Sequence, residues 1–353
     1  MKRADAIVTL FLGALALTVN VCQGAEQEDE ARARAERRRR WRLSIHDPST
    51  IVKCDGRYWL FATGRGIKSF HSEDLKTWTV GPAVLTTLPK WHKTAVPGNR
   101  GHLWAPDVIR HNGRYLLYYS ISTWGVRTSA IGLVSNVTLD PNAPDYEWID
   151  QGPVIQSSDD VDFNAIDPAL IATPDGKLWM SFGSFWSGIK LVQLDPKTGL
   201  RIAPDSPIHA VAHSDAIEAP CIWYHDKYYY LFVNWGQCCR GVNSTYNIRI
   251  GRSADITGPY LDKSGTDLLD DGGSRFLETN GDFIGPGHAA IFAEGGTDWL
   301  GYHYYDGARR GVASLAITPL QWDAEGWPVA TESPVRVVLQ DGRSGDNRLG
   351  EGL

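Results

Sequence analysis

A short pattern of alternating aromatic and aliphatic positions recurs five times along the chain. Each copy begins with a turn residue and a basic or polar residue, as in the run GRYWLF at residues 56–61. About 50 to 70 residues separate consecutive copies, which is enough for four short strands with their turns, the content of one propeller blade. The copies start at Gly56, Gly113, Gly176, Asp226 and, as the loosest match, Thr297.

A second, apolar segment precedes each copy, so the two together predict a hairpin whose first strand is apolar on both faces. No helical periodicity extends over ten residues beyond the N-terminal leader, and turn residues recur throughout. These features predict an all-β protein, a five-bladed β-propeller, with a β-sandwich or barrel of similar hairpins as the alternative. The apolar segments begin at Asp47, Ala105, Asp167, Ala219 and His288.

The two ends of the chain differ from this pattern. A basic start, an apolar run over residues 6–21 and small residues after it are typical of a secretory signal peptide. Lipidation at Cys22 is the alternative interpretation. We therefore expect a secreted protein, extracellular or periplasmic, without a membrane span. The predicted regions are a signal peptide (1–25), a disordered charged lead-in (26–40), the propeller (41–342) and a tail (343–353).

Composition narrows the range of partners. The chain has 353 residues, 42% of them hydrophobic and 22% charged, so disorder as a whole is excluded. A formal net charge of -6 argues against a nucleic-acid partner and suits a neutral polymer. Fourteen Trp and fourteen Tyr suit both β-structure and sugar binding, because a ring face offers an apolar platform to a sugar. We expect a monomer.

The cysteines have no zinc-type spacing of paired C-x-x-C units. Four of them lie beyond the predicted leader: Cys54, Cys221, Cys238 and Cys239. The adjacent Cys238 and Cys239 are interpreted either as a strained vicinal disulfide or as two free thiols.

Three acidic residues lie at the predicted starts of inner strands. In a propeller the first strand of each blade lines the central channel, and all of these strands start at the same end. Three carboxylates gathered there repel one another and lose hydration, which indicates a function. Asp107 lies inside its strand and is interpreted as structural. The residues placed at the five starts are Asp47, Ala105, Asp167, Glu218 and His288.

Cleavage of a glycosidic bond matches this set. One protonated acid donates to the leaving oxygen, and one ionised carboxylate assists at the opposite face of the sugar. Neighbouring carboxylates whose pKa values are pushed apart hold both states near neutral pH.

The ordered set of motifs resembles the endo-1,5-α-L-arabinanases of glycoside hydrolase family 43. The resemblance covers about residues 44–325, and no single motif carries it alone. The motifs are IHDPS at 45–49, WAPD at 104–107, NAIDP at 164–168, GSFW at 183–186, IEAP at 217–220, CCRGVNSTY at 238–246 and IGPGH at 284–288.

The resemblance implies roles for individual residues. Asp47 is implied to be the general base and Glu218 the general acid, in a reaction that inverts anomeric configuration. Asp167 is implied to tune the pKa of the acid and to orient the sugar. His288 is implied to help hold a central ion, usually calcium, in the channel beneath the site, largely through waters. The alternative for His288 is a buried residue with a purely structural role, because calcium prefers oxygen ligands.

Sugar contacts are implied by the same motifs. Trp104 would form a wall at the entrance, and the backbone at Gly125 would pass close to the sugar. The implied substrate-binding residues are Asp47, Trp104, Gly125, Asn164, Ala165, Ile166, Asp167, Ser184, Phe185 and Trp186.

The resemblance therefore predicts endo-acting hydrolysis of α-1,5-linked arabinan or arabino-oligosaccharides. Two alternatives stay open. The first is an exo-acting α-L-arabinofuranosidase or β-xylosidase of the same family. The second is a propeller that binds sugar without cutting it, which would be expected to lack one of the three carboxylates.

Overall fold

A computed structural model describes residues 44–329 and 335–340, which form mainly short β-strands. The predicted signal peptide, charged lead-in and tail lie outside the described residues. No helix within the described ranges is long and apolar enough to span a bilayer. The helical elements are α1 (His92–Ala95) and three single turns of 3-10 helix at Gly241–Asn243, Leu268–Asp270 and Gly307–Arg309.

Five sheets of four or five strands form the five blades, so the predicted five-bladed propeller is confirmed. Blade 1 contains β1 (Val52–Cys54), β2 (Arg57–Ala62), β4 (Lys68–Ser72), β5 (Thr77–Val80) and β24 (Val338–Gln340). Blade 2 contains β3 (Gly64–Arg65), β6 (His102–His111), β7 (Arg114–Ile121), β8 (Ser129–Asn136) and β9 (Ile149–Ser157).

The other three blades have four strands each. Blade 3 contains β10 (Ala169–Ala172), β11 (Leu178–Phe182), β12 (Ile189–Leu194) and β13 (Ile208–Ala212). Blade 4 contains β14 (Ile217–His225), β15 (Tyr228–Trp235), β16 (Asn247–Ser253) and β17 (Ser274–Leu277). Blade 5 contains β18 (Phe283–Glu294), β19 (Thr297–Asp306), β20 (Val312–Pro319) and β23 (Val335–Arg336), and β21 (Gln321–Trp322) pairs with β22 (Pro328–Val329) beside it.

The predicted hairpins are present, and their turns explain the repeated turn residues. Asp55 and Gly56 join β1 to β2 with φ of 49° and 79°. Asn112 and Gly113 join β6 to β7 with φ of 49° and 75°. Two consecutive residues with positive φ make the tight turn whose twist matches that of the flanking strands, and Gly, Asn and Asp tolerate this backbone best.

Five hydrophobic clusters hold the ring together, one at each contact between neighbouring blades. Because successive side chains of a strand point to opposite faces of the sheet, each strand packs against both neighbouring blades. In β2, Trp59 and Phe61 pack towards blade 2, whereas Leu60 and Ala62 pack towards blade 5. Burial of one large apolar side chain contributes about 1.5 to 3 kcal/mol, so these clusters stabilise the ring between every pair of blades.

The ring closes where the two ends of the described chain meet. Strand β24 runs parallel to β5 in blade 1, with Val338 opposite Thr77. The preceding strand β23 belongs to blade 5. The Ile45 N–H donates to the Ala313 carbonyl of blade 5 at 3.2 Å. Blades 1 and 5 are therefore joined by backbone pairing as well as by side-chain packing.

Candidate active site

A cleft of about 730 Å³ lies where the inner segments of blades 1 to 4 meet. Most of the predicted site residues line it. Ala165 and His288 are not among its lining residues. The predicted residues that line the cleft are Asp47, Trp104, Gly125, Asn164, Ile166, Asp167, Ser184, Phe185, Trp186 and Glu218.

One backbone feature repeats on all five inner segments. One non-glycine residue on each adopts the left-handed conformation, which costs such a residue about 1 kcal/mol or more. In blades 2, 4 and 5 this residue lies in a bulge of the inner strand. The bulge bends the strand locally and redirects its side chains. The residues are Asp47 (φ 52°), Ala105 (42°), Asp167 (59°), Ala219 (51°) and His288 (59°).

A side chain of the preceding blade caps the N–H of four of these residues. Thr63 Oγ1 accepts from the Ala105 N–H at 2.8 Å, and Ser120 Oγ accepts from the Asp167 N–H at 2.9 Å. Asn234 Oδ1 accepts from the His288 N–H at 2.8 Å, and His303 Nδ1 accepts from the Asp47 N–H at 3.1 Å. The equivalent position of blade 3 is Gly183, which has no side chain. Asp167 replaces the missing cap, because its Oδ2 accepts from the Ala219 N–H at 3.1 Å.

This repeat shows how Glu218 corresponds to residues of the other blades. The left-handed residue of blade 4 is Ala219, and Glu218 occupies the position before it. Glu218 pairs with Asn234 as Trp104 pairs with Ser120, so Glu218 is the counterpart of Trp104. Ala105 and His288 lie within their strands, β6 and β18, and not at the starts. The prediction was wrong at these two positions because a bulge is invisible in the apolar pattern.

Asp47 is held by side chains of its own blade and of blade 5. His46 Nδ1 lies 2.7 Å from Asp47 Oδ1, and Thr63 Oγ1 donates to Asp47 Oδ2 at 2.5 Å. Burial raises the pKa of Asp47, but the charge and hydrogen bond of His46 outweigh burial and hold this pKa below its usual range. Burial likewise lowers the pKa of His46, yet Asp47 raises it to about 10. Asp47 is therefore ionised across the neutral range.

The pKa values of Asp167 and Glu218 are raised, whereas that of Asp47 is lowered. Burial raises the pKa of Asp167 well above its usual range, and the charges of Glu218 and Asp47 raise it further. Burial also raises the pKa of Glu218, although hydrogen bonds from Tyr246 and Ser184 lower it in part. Because the two carboxyls interact, they titrate as a pair. The pair retains a proton at a pH where Asp47 has lost its own.

Two groups that hold Glu218 have roles that the sequence did not reveal. The Tyr246 hydroxyl donates to Glu218 Oε1, and Ser184 Oγ donates to Glu218 Oε2 at 2.8 Å. Tyr246 closes the CCRGVNSTY motif but had no predicted role, and Ser184 was predicted to touch the sugar. His46 was also missed, although its position beside Asp47 in the IHDPS motif was a signal.

Aromatic rings form the walls of the cleft. Trp124 was not predicted to be in the site, yet it is 75% exposed and lies edge to face with Trp104 at 6.3 Å between ring centroids. Trp186 is 41% exposed. Phe185 and Trp186 have φ of 50° and 40°, and strain of this kind in exposed aromatic residues is typical of functional loops.

The NAIDP motif supports the cleft from beneath. The side chain of Asn164 is buried, and its Oδ1 accepts from Ser129 Oγ at 2.7 Å. Ala165 is fully buried, and its N–H donates to Ser157 Oγ at 2.9 Å. Ala165 is therefore placed to orient Asn164 and Asp167 and not to touch a ligand with its side chain.

His288 lies below Asp47, with 3.5 Å between His288 Nδ1 and Asp47 Oδ1. Burial lowers its pKa, so the ring is neutral and able to bind a metal ion. Calcium, however, takes six to eight oxygen ligands. The Asn234 side-chain oxygen already binds the His288 N–H, and none of the metal-compatible clusters of His, Cys, Asp and Glu in the described ranges contains His288. A calcium ion at His288 would therefore take most of its ligands from water, as the resemblance implies, and it stays a prediction.

Cys238 and Cys239 lie at the rim of the cleft as free cysteines, with 2.7 Å between their Sγ atoms. Cys239 Sγ also lies 3.6 Å from His46 Nε2. The loop that carries both cysteines is anchored to blade 5, because the Cys239 N–H donates to the Tyr305 hydroxyl at 2.6 Å.

Known proteins share both the sequence and the fold. The chain matches the family described as Glycosyl hydrolases family 43 over residues 41–328. It is 43% identical over 305 residues to the extracellular exo-alpha-(1->5)-L-arabinofuranosidase ArbA of Cellvibrio japonicus, covering 82% of this chain and 87% of the relative. It is 42% identical over 292 residues to the extracellular endo-alpha-(1->5)-L-arabinanase 1 of Bacillus subtilis, covering 80% and 87%.

Solved structures agree with this match. The Cellvibrio cellulosa alpha-L-arabinanase complexed with arabinohexaose superposes with a TM-score of 0.80 at 40% identity, covering 85% of this chain and 100% of that one. The GH43 endo-arabinanase of Bacillus licheniformis gives a TM-score of 0.76 at 43% identity, covering 82% and 98%. Since the family match spans most of the chain and the five-bladed fold is shared, this protein belongs to glycosyl hydrolase family 43.

Proposed function

We propose that this enzyme hydrolyses α-1,5-linked L-arabinofuranosyl bonds within arabinan and inverts the anomeric configuration. The observation that carries the proposal is the opposed protonation of the carboxyls in one cleft. Asp47 is ionised, whereas the Asp167–Glu218 pair retains a proton. A base and an acid are thus available together at the same pH, which is what cleavage by inversion requires.

Each carboxyl has one role in the proposed reaction. Glu218 donates its proton to the leaving glycosidic oxygen as that bond breaks. Asp47 accepts a proton from the water that attacks the anomeric carbon from the opposite face. Asp167 and Glu218 share one proton as a pair; in the proposed reaction that proton is on Glu218, and the Ala219 N–H at 3.1 Å then stabilises Asp167 as the carboxylate. After the reaction Asp47 is protonated and Glu218 ionised, and solvent returns both to the starting state.

The choice of arabinan rests on the relatives. Their names specify α-1,5-linked arabinose polymers, and one solved neighbour holds arabinohexaose. The aromatic walls formed by Trp104, Trp124 and Trp186 suit stacking against successive sugar rings. A propeller that only binds sugar is disfavoured, because all three carboxyls are present in the cleft.

Endo action is the proposed mode, and exo action is the second candidate because one relative at 43% identity is named an exo-acting enzyme. Digestion of debranched arabinan separates the two. Endo action gives a mixture of oligosaccharides early in the reaction, whereas exo action releases one short product from the start. NMR of the first product should show the inverted anomer, and retention of configuration would exclude the proposed mechanism.

Export and the ion remain predictions. Both curated relatives are named extracellular, which supports export of this chain. Calcium at His288 and a monomeric state are expectations from the sequence that no observation on the described residues supports. No step of the proposed reaction passes through an ion.

A further inference from the structure

Three soft ligand groups converge at the rim of the cleft. The Cys238 and Cys239 Sγ atoms and one His46 ring nitrogen lie within 4.8 Å of one another. His46 comes from blade 1 and the cysteines from the loop after β15, so the cluster exists only in the folded ring. Cys239 is exposed and Cys238 is half-buried, and both line the open cleft, so an ion from solvent can reach them.

Thiolate and imidazole ligands select zinc and similar soft ions over calcium or magnesium. Zn–S bonds of about 2.3 Å and a Zn–N bond of about 2.0 Å place tetrahedral S and N ligands about 3.6 Å apart. Cys239 Sγ and His46 Nε2 are 3.6 Å apart already. The two Sγ atoms, 2.7 Å apart, must separate to about 3.8 Å, so the Cys238 side chain would have to rotate while Cys239 keeps its spacing to His46.

The environment of His46 suits a metal ligand. A coordinating histidine commonly donates its other ring N–H to a carboxylate, which orients the ring. His46 Nδ1 lies 2.7 Å from Asp47 Oδ1, so Nε2 is the atom that faces the cysteines. The ring also stacks on His303 with 4.1 Å between centroids. The Tyr305 hydroxyl, 2.7 Å from Nε2, would give up that contact to the ion.

We propose that Cys238, Cys239 and His46 form a binding site for one soft divalent ion, such as Zn²⁺ or Cd²⁺, and that the bound ion inhibits hydrolysis. The ion would take the place of a proton on His46 Nε2 and would fix the ring that contacts the base Asp47. It would also occupy the rim over which the polymer passes. The inhibition rests on the proposed function, whereas the binding does not.

Absorption measures the binding directly. Cd²⁺ is titrated into the untagged full-length protein, kept reduced with a phosphine that does not chelate metals. We expect a thiolate-to-metal charge-transfer band that saturates at one equivalent. The double variant Cys238→Ser/Cys239→Ser should lack the band and bind at least about 100-fold more weakly, since even outer contacts of a metal site are worth 10- to 100-fold. Cys54→Ser, which removes a buried thiol of blade 1, should keep the band.

Hydrolysis of a soluble arabino-oligosaccharide then tests the inhibition. Each protein is compared with its own rate without metal while Zn²⁺ is raised, and a chelator is added at the end. The wild type and Cys54→Ser should be inhibited and should recover, whereas the double variant should resist Zn²⁺.

Three results would overturn parts of the proposal. Absence of the band in the wild type would eliminate the site. Equal inhibition of the double variant would place the ion elsewhere, with the His46, Asp47 and His303 cluster as the next candidate. A saturated band with an unchanged rate would remove the inhibitory role. If the metal-free wild type hydrolyses no arabinan, the proposed function fails, and the absorption titration still decides the site.

Discussion

Asp107 and the carboxyls of the cleft are all buried acids near the axis, but they have different partners. Asp107 Oδ1 accepts from the Thr50 N–H of blade 1 at 2.8 Å, and its Oδ2 accepts from the Leu170 N–H of blade 3 at 2.8 Å. Both oxygens are bound by backbone. Asp107 thus ties three blades together, which agrees with its interpretation as a structural residue, and burial raises its pKa to about 6.

The base and the acid of the cleft, Asp47 and Glu218, are held by side chains and line the cleft. Thr63 and His46 bind Asp47, while Tyr246 and Ser184 bind Glu218. Side-chain partners shift pKa values and orient an acid without enclosing it. The comparison suggests that an acid bound on both oxygens by backbone serves stability, whereas an acid bound by side chains beside a cleft serves chemistry.

Loss of the general acid should give the largest effect. Glu218→Gln is expected to lower the hydrolysis rate of arabinan at least about 100-fold, because positioned proton transfer contributes about 10² to 10⁴. The variant should fold and bind oligosaccharide as the wild type does. Rates, a thermal melt and calorimetric binding measure the three properties. The exposed Asp175, changed to Asn, is the matched control and should keep full activity.

Removal of Asp107 should lower stability and leave activity nearly unchanged, the opposite of the result expected for Glu218→Gln. Asp107→Ala leaves two buried backbone N–H groups without their acceptor, at a cost of about 2 kcal/mol in the free energy of unfolding. Asp107→Asn keeps one acceptor and should cost less. Denaturant titration measures both variants, and the activity of the folded fraction should change little. If Asp107→Ala were as stable as the wild type, the structural role given to Asp107 would be wrong.

The stability lost in Asp107→Ala should become smaller as pH rises. The folded pKa of Asp107, about 6, lies above the unfolded value of about 3.9. Its contribution to stability is therefore fully present below about pH 4 and is lost as pH rises through about 6. The deficit of Asp107→Ala should be larger at about pH 5 than at about pH 8. A deficit that grows with pH would contradict the assignment.

Tyr246→Phe should give the smallest effect. The hydroxyl donates to the ionised form of Glu218 and so lowers its pKa. Without this donor the pKa of Glu218 rises, and the proton needed for catalysis persists to higher pH. The alkaline limb of the rate profile should move up by as much as about one pH unit, the scale of one charged hydrogen bond.

Tyr115→Phe is the control for this variant, because the Tyr115 hydroxyl binds the Lys53 carbonyl and does not touch the cleft. Its rate profile should match that of the wild type. A downward shift of the alkaline limb in Tyr246→Phe would contradict the role given to Tyr246.

Prediction from the sequence worked where the signal was local and repeated. Alternation in each hairpin and the Asp-Gly and Asn-Gly turns depend on neighbouring residues, so the number of blades could be read directly. The same repeat predicted that Asp47, Asp167 and Glu218 would meet. It misplaced the strand starts at Ala105 and His288, because the bulges there depend on the neighbouring strand and not on the apolar pattern.

The amino-acid sequence by itself therefore determined the five-fold repeat, the strand pattern and the three acids on the inner segments. Only the tertiary structure decided what those acids contact. Tyr246 reaches Glu218 within blade 4, and Cys239 of blade 4 reaches His46 of blade 1. Such contacts join residues far apart in the chain, and their effect on charge depends on burial. They form only when strands and blades pack, because packing removes water and brings distant side chains within bonding distance.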